Sequence, residues 1–127
     1  MTIRTMFLSI VCGAVVAGCA EKRPIISHGE TVGHWISQLQ SPDPKIRKKA
    51  VKALGHVGNA DADALPAVLG LFDDPDVTVR AEAVLAVLNM DARPKEAIPA
   101  LEKAGEDLDE KVRSYAAKAL ERIRGTQ

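Results

Sequence analysis

Aromatic residues are scarce in this chain of 127 residues: 3%, made up of one Trp, one Tyr and two Phe, against 46% hydrophobic residues overall. That imbalance disfavours a strand-rich core, and the many Ala, Leu and Val residues predict an all-α protein. Net charge is missing too, with 17 basic and 17 acidic side chains. No global basic field draws the chain onto nucleic acid, so no nucleic-acid partner is expected. Cysteine is confined to Cys12 and Cys19, which cannot staple a domain or complete a ligand cluster with further cysteines. His28, His34 and His56 have no metal-ligand spacing. Asp61, Asp63, Asp73 and Asp74 lack the Gly-centred spacing of a calcium loop and read as helix caps and solvated turn acids. There is no nucleophile elbow, phosphate-cradling glycine loop or paired Ser and His motif. Neither an enzyme nor a metal or cofactor site is therefore expected. The length suits one small domain.

What is present begins with the N-terminus. Arg4, the apolar stretch from Met6 to Ala17 and the small Gly18 directly before Cys19 form the layout of an export signal. The apolar stretch is shorter than the roughly 20 residues a spanning helix needs. Val16-Ala17-Gly18-Cys19 resembles the bacterial lipobox: an aliphatic residue, two small residues and a cysteine. That resemblance implies cleavage between Gly18 and Cys19, with a diacylglyceryl thioether on Cys19; the alternative is an ordinary secretory signal in which Cys19 is incidental. Two or three acyl chains, at about 0.8 kcal/mol per buried methylene, make a durable anchor. Removing residues 1–18 takes away only Arg4, leaving 16 basic against 17 acidic groups. Ala20 stands where some proteobacterial lipoproteins carry an inner-membrane retention Asp, so the resemblance favours the periplasmic face of an outer membrane, if the cell has one. Residues 19–30, with Pro24 and Gly29 and no helical periodicity, predict a flexible tether.

Residues 31–127 carry an internal repeat of 33 residues. Arg47, Arg80 and Arg113 obey it, as do Asp43, Asp76 and Asp109, then Ile46, Val79 and Val112. Ala50, Ala83 and Ala116 follow, with Ala53, Ala86 and Ala119, and Leu54, Val87 and Leu120. Leu65-Pro66 maps onto Ile98-Pro99, and Trp35, Val68 and Leu101 share one apolar position. Within the first unit Ile46, Ala50, Ala53, Leu54 and Val57 lie on one face of a helix. Asp43, Asp76 and Asp109 stand at N-cap positions, and Pro44 at the first helical position costs no backbone bond. Shorter helices precede these, at about Thr31 to Gln40, Ala62 to Phe72 and Lys95 to Ala104. Three antiparallel helix pairs follow, with units at about 31–60, 61–93 and 94–125, near the minimum at which stacked repeats bury a continuous core.

Ankyrin and tetratricopeptide units share a period near 33, but their Thr-Pro-Leu-His and Trp-x-x-Leu-Gly-x-x-Tyr patterns are absent. A Pro in the first helix, an Asp in the turn, the aliphatic-Arg pairs Ile46-Arg47, Val79-Arg80 and Val112-Arg113, and a small-residue-rich second helix resemble HEAT repeats. The short HEAT-like units of phycobilin-lyase-type proteins are the most similar variety. The resemblance spans about Thr31 to Arg124 and implies an α-solenoid. It weakens where Glu102 and Gly105 replace Leu69 and Phe72, which predicts fraying of that helix or a capping role.

Solenoids bind along extended concave faces lined by second helices. The side chains opposite the core stripe are Lys45, Lys49, Lys52 and His56, then Thr78, Glu82, Leu85 and Asn89, then Lys111, Tyr115, Lys118 and Arg122. This mainly basic stripe predicts contact with an acidic or extended protein segment, with Leu85 and Tyr115 as apolar anchors. Simple solvation of a helix face is the alternative, and anionic lipid head groups are another target for the lysines. Arg47, Arg80 and Arg113 read as scaffold, each hydrogen-bonding an aspartate or turn carbonyl of an adjoining unit. Protein-binding scaffold in the cell envelope is the leading function; a bilin-lyase-like enzyme and a purely structural envelope component are the alternatives.

Overall fold

The computed structural model describes residues 25–90 and 94–125. Six α-helices occur among them: α1 (Val32–Gln38), α2 (Pro44–Val57), α3 (Ala64–Leu69), α4 (Val77–Asn89), α5 (Ile98–Ala104) and α6 (Glu110–Arg124). The second helices α2, α4 and α6 stack side by side, and the short first helices α1, α3 and α5 cover them, giving an all-α solenoid of three helix pairs. Helices α3 and α5 are shorter than the periodicity suggests because 3₁₀ turns at Gly70–Asp73 and Lys95–Ala97 replace α-helical ends.

The repeated aspartates start the second helices. Asp43 accepts from the Lys45 backbone N–H at 2.8 Å, Asp76 from Thr78 at 2.8 Å and Val79 at 3.2 Å, and Asp109 from Val112 at 3.0 Å. Each satisfies donors that the first helical turn leaves unpaired. The rows of repeated apolar residues form one core: Ala50, Ala83 and Ala116 are fully buried, as are Val68 and Leu101, with Trp35 nearly so. Small residues bring the helices close. A Cβ on Gly55 of α2 would lie 2.8 Å from the Ala86 Cβ of α4.

Helix α4 is buried on both flanks, with Val79, Ala81, Ala83, Val84, Ala86 and Val87 all inside. The end helices differ. Ile46, which the periodicity places in the core, is 39% exposed, whereas its counterparts Val79 and Val112 are fully buried. The reason is positional: α4 and α6 each have a preceding second helix against them, and α2 has none among the described residues. At the other end Glu102 of α5 pairs with Arg124 of α6. Leu101 and Ala104 keep α5 seated on the core, so the substitution of Glu102 for a leucine produces a polar end unit.

The flexible tether predicted for residues 19–30 is corrected over its last part. Strands β1 (Ile26–Ser27) and β2 (Glu30–Thr31) pair antiparallel, Ile26 with Thr31 and Ser27 with Glu30. His28 (φ 53°) and Gly29 (φ 82°) make the turn, and two positive φ angles suit the twist of a two-residue hairpin. Ser27 donates its hydroxyl to the Ala53 carbonyl at 3.0 Å, and the Trp35 indole donates to the Ser27 carbonyl at 2.8 Å. The hairpin is thus locked onto α1 and α2. Strands of two residues leave no periodicity to detect.

Candidate protein-binding grooves

On the faces of α2, α4 and α6 remote from the first helices, the side chains form two open grooves. The larger, about 520 Å³, runs between α2 and α4 and is lined by Lys52, Gly55, His56, Glu82, Leu85 and Asn89 among others. The smaller, about 210 Å³, lies towards α6 and takes Lys48, Val77, Thr78, Glu82, Leu85, Lys111 and Tyr115. Glu82 and Leu85 line both, so α4 forms the ridge between them. Gly55 is what lets the floor of the larger groove form, because its missing side chain allows α2 and α4 into contact at Ala86.

The predicted stripe is therefore only partly brought together. Lys52, His56, Glu82, Leu85 and Tyr115 line the grooves. Lys45, Lys49, Lys118 and Arg122 do not line either one. Lys49 lies over the Trp35 ring at 5.5 Å from its centroid, a cation–π contact. Arg122 donates to the Leu88 carbonyl of α4 at 2.7 Å and serves the scaffold. Lys48 and Lys111 enter the smaller groove together with Asp109 and Glu82, so the lining is of mixed charge rather than a uniformly basic stripe. Lys111 sits 5.7 Å from the Tyr115 ring centroid. Cys19 and Gly18, the lipidation and cleavage positions, lie outside the described residues.

His56 and His28 meet edge to face at 5.4 Å between ring centroids, and His28 also approaches Trp35 at 6.4 Å. Among the described residues no group of three or more His, Cys, Asp and Glu side chains is placed to hold a metal ion. No helix among them is long and apolar enough to cross a membrane.

Two of the repeated arginines, Arg47 and Arg80, take an aspartate of the adjoining unit as expected, while the turn carbonyls that all three bind belong to their own units, which corrects that part of the reading. Arg47 forks onto Asp74 of the next unit, with Nε and Nη2 at 2.8 and 2.9 Å from its two oxygens, while Nη1 donates to the Ser41 and Pro42 carbonyls. Arg80 repeats the arrangement on Asp107, at 2.8 and 3.2 Å. Reading Asp74 as a solvated turn acid is thus a correction: its side chain is 4% exposed, inside a bidentate pair. Asp107 fills the same role, and the 33-residue spacing between the two aspartates was the available signal. The fork from Asp74 raises the Arg47 pKa above its ordinary value, and that from Asp107 does the same for Arg80. In return the Arg80 hydrogen bonds hold Asp107 below the usual carboxylate range.

A family profile described as HEAT repeats matches residues 32–121, the stretch that holds the repeating helix pairs. The chain belongs to the HEAT-repeat family. No curated protein matches this HEAT-repeat chain. Among solved structures it is similar to the crystal structure of an engineered protein, a structural genomics target, at 27% identity and a TM-score of 0.60. That likeness covers 74% of the HEAT-repeat chain and 45% of the engineered one, so this chain spans less than half the length of its structural neighbour.

Proposed function

We propose that this HEAT-repeat chain is a lipid-tethered adaptor of a bacterial cell envelope that captures a protein segment in the grooves along α4, and that it is a binding module rather than a catalyst. HEAT repeats act in general as protein-interaction scaffolds. The observation carrying the specific reading is the ridge of Glu82 and Leu85 shared by two grooves, with Tyr115, Lys52 and His56 around it. Tyr115 is of a residue type enriched at binding hot spots, and Leu85 lines the same groove beside it. Lysines in both grooves favour a segment bearing acidic side chains, with Glu82 selecting its register.

Tethering rests on the lipobox-like Val16-Ala17-Gly18-Cys19. Because the hairpin at 26–31 is fastened to α2, only a short segment separates Cys19 from the folded part. The solenoid would then work close to the membrane, on the periplasmic face of the outer membrane where the cell has one.

Intact mass and membrane fractionation of wild type and Cys19→Ser test the anchor. A diacyl-modified mature species that is lost in the variant supports it; an unmodified, soluble wild type removes it. For the groove, a photo-crosslinker at position 85 is compared with one at position 96 on the outer layer. A specific adduct at 85 that disappears on charge reversal of Lys52 supports the reading, and equal adducts at both positions reject it.

A further inference from the structure

Each repeated arginine has two working edges. Nη1 binds carbonyls of its own turn: Ser41 and Pro42 for Arg47, Asp74 and Pro75 for Arg80, Asp107 and Leu108 for Arg113. The Nε and Nη2 edge then takes a carboxylate from the following unit, Asp74 for Arg47 and Asp107 for Arg80. Arg113 is held by the same two carbonyl bonds, both 2.8 Å. Among the described residues no carboxylate completes its fork.

We propose that Arg113 is a docking site for an aspartate of a different protein, presented in a turn that opens a helix. The two filled rungs define that ligand. Asp74 and Asp107 each accept from the backbone N–H two residues on, Asp76 and Asp109, at 2.8 Å, and those residues are the N-caps of α4 and α6. The motif that fits is thus Asp-x-Asp followed by a helix. Arg113 is already oriented by its carbonyl bonds, so little side-chain freedom is lost when a carboxylate arrives. A planar guanidinium suits bidentate carboxylates as a lysine does not.

The surroundings match an incoming helix. Ala81 and Val84, buried in α4, correspond to Ser114 and Ala117 of α6, both exposed. Both side chains are small enough for close approach and bury too little apolar surface to need permanent cover. Leu108, 98% exposed, stands in the turn where the other units have Pro42 and Pro75.

A second copy of this chain does not supply the ligand. Head-to-tail stacking would bring Ser41 to the position that Asp74 and Asp107 occupy in their units, since Ser41 accepts from the Asp43 N–H in the same way but carries no charge. Arg113 itself lines neither groove, and its test does not depend on them.

The experiment follows the side-chain Nε–H resonances of Arg47, Arg80 and Arg113 in the full chain while a synthetic peptide with the sequence of residues 105–125 is added. The expected result is a saturable shift confined to Arg113, weakened at least tenfold when the peptide carries Asn in place of the Asp at position 107. Arg113→Gln and Arg113→Lys in the full chain should both lose the interaction with an unchanged helical spectrum. An unmoved Arg113 resonance, or equal binding of the Asn peptide, overturns the proposal. Arg113-dependent self-association in sedimentation would also overturn it, by making a second copy the occupant. The Asn peptide leaves the protein untouched, so a folding defect in the Arg113 variants cannot mask the answer.

Discussion

Arg80 grips Asp107 across 27 residues of sequence in the geometry with which Arg47 grips Asp74, so one rung is repeated at each junction between units. The rungs are not equally protected. Side-chain exposure is 12% and 4% for Arg47 and Asp74, and 19% and 12% for Arg80 and Asp107. Removing a carboxylate from such a pair leaves an uncompensated charge, which outweighs the net value of the pair itself.

Asp74→Ala should therefore destabilise the chain by about 2–3 kcal/mol, and Asp107→Ala by less. Asp73→Ala, which breaks the exposed pair with Lys103, should cost under about 1 kcal/mol. Urea unfolding of the three variants checks the order. An Asp74→Ala midpoint equal to that of Asp73→Ala would remove the ladder as a source of stability.

Acid should weaken the fold through two aspartates. Hydrogen bonds from Thr78 hold Asp76 below the usual carboxylate range, and Arg80 does the same for Asp107. The folded chain binds these protons less readily than the unfolded chain, so their contribution is complete above about pH 5. It is lost progressively as pH falls past the unfolded value near 4 and through the lower folded one. Urea midpoints between pH 7 and pH 3 should fall on the acid side, and Asp107→Asn should flatten that limb.

Gly55→Ala separates helix propensity from packing. Ala is better than Gly in a helix interior by roughly 0.5–1 kcal/mol. The new Cβ, however, would sit 2.8 Å from the Ala86 Cβ and 3.2 Å from its Cα, forcing α2 and α4 apart. Overpacking of this kind costs about 1–3 kcal/mol, so a net loss of stability is expected. A gain measured by thermal unfolding would show that the helices separate freely.

The hairpin reports on itself through Trp35, the single tryptophan. Ser27→Ala deletes the hydroxyl bond to Ala53 and should cost about 1 kcal/mol. Because Trp35 is 4% exposed and donates to the Ser27 carbonyl, its fluorescence should be blue-shifted in the native chain. Deleting residues 25–30 should shift it to the red; an unchanged spectrum would mean that the helices alone bury the indole.

The amino-acid sequence by itself determined what is local. A 33-residue period, three capping aspartates and one apolar face per second helix were legible because helix caps and helical spacing depend on neighbours within a few residues. Tertiary structure decided whether the opposite flank of each helix is covered. Val51 and Val84 are fully buried while Ala117, at the same repeat position, is exposed, because the first two lie between stacked second helices and Ala117 faces outward from the last. Ile46 is exposed for the mirror-image reason at the first helix. The stack also chose the partners of Arg47 and Arg80, since the offset between helix pairs, not sequence proximity, brings a residue 27 positions away into reach. The same offset mixed Glu82 and Asp109 with the lysines of the grooves. A stripe read along single helices carries no information about which residues of the next helix join it.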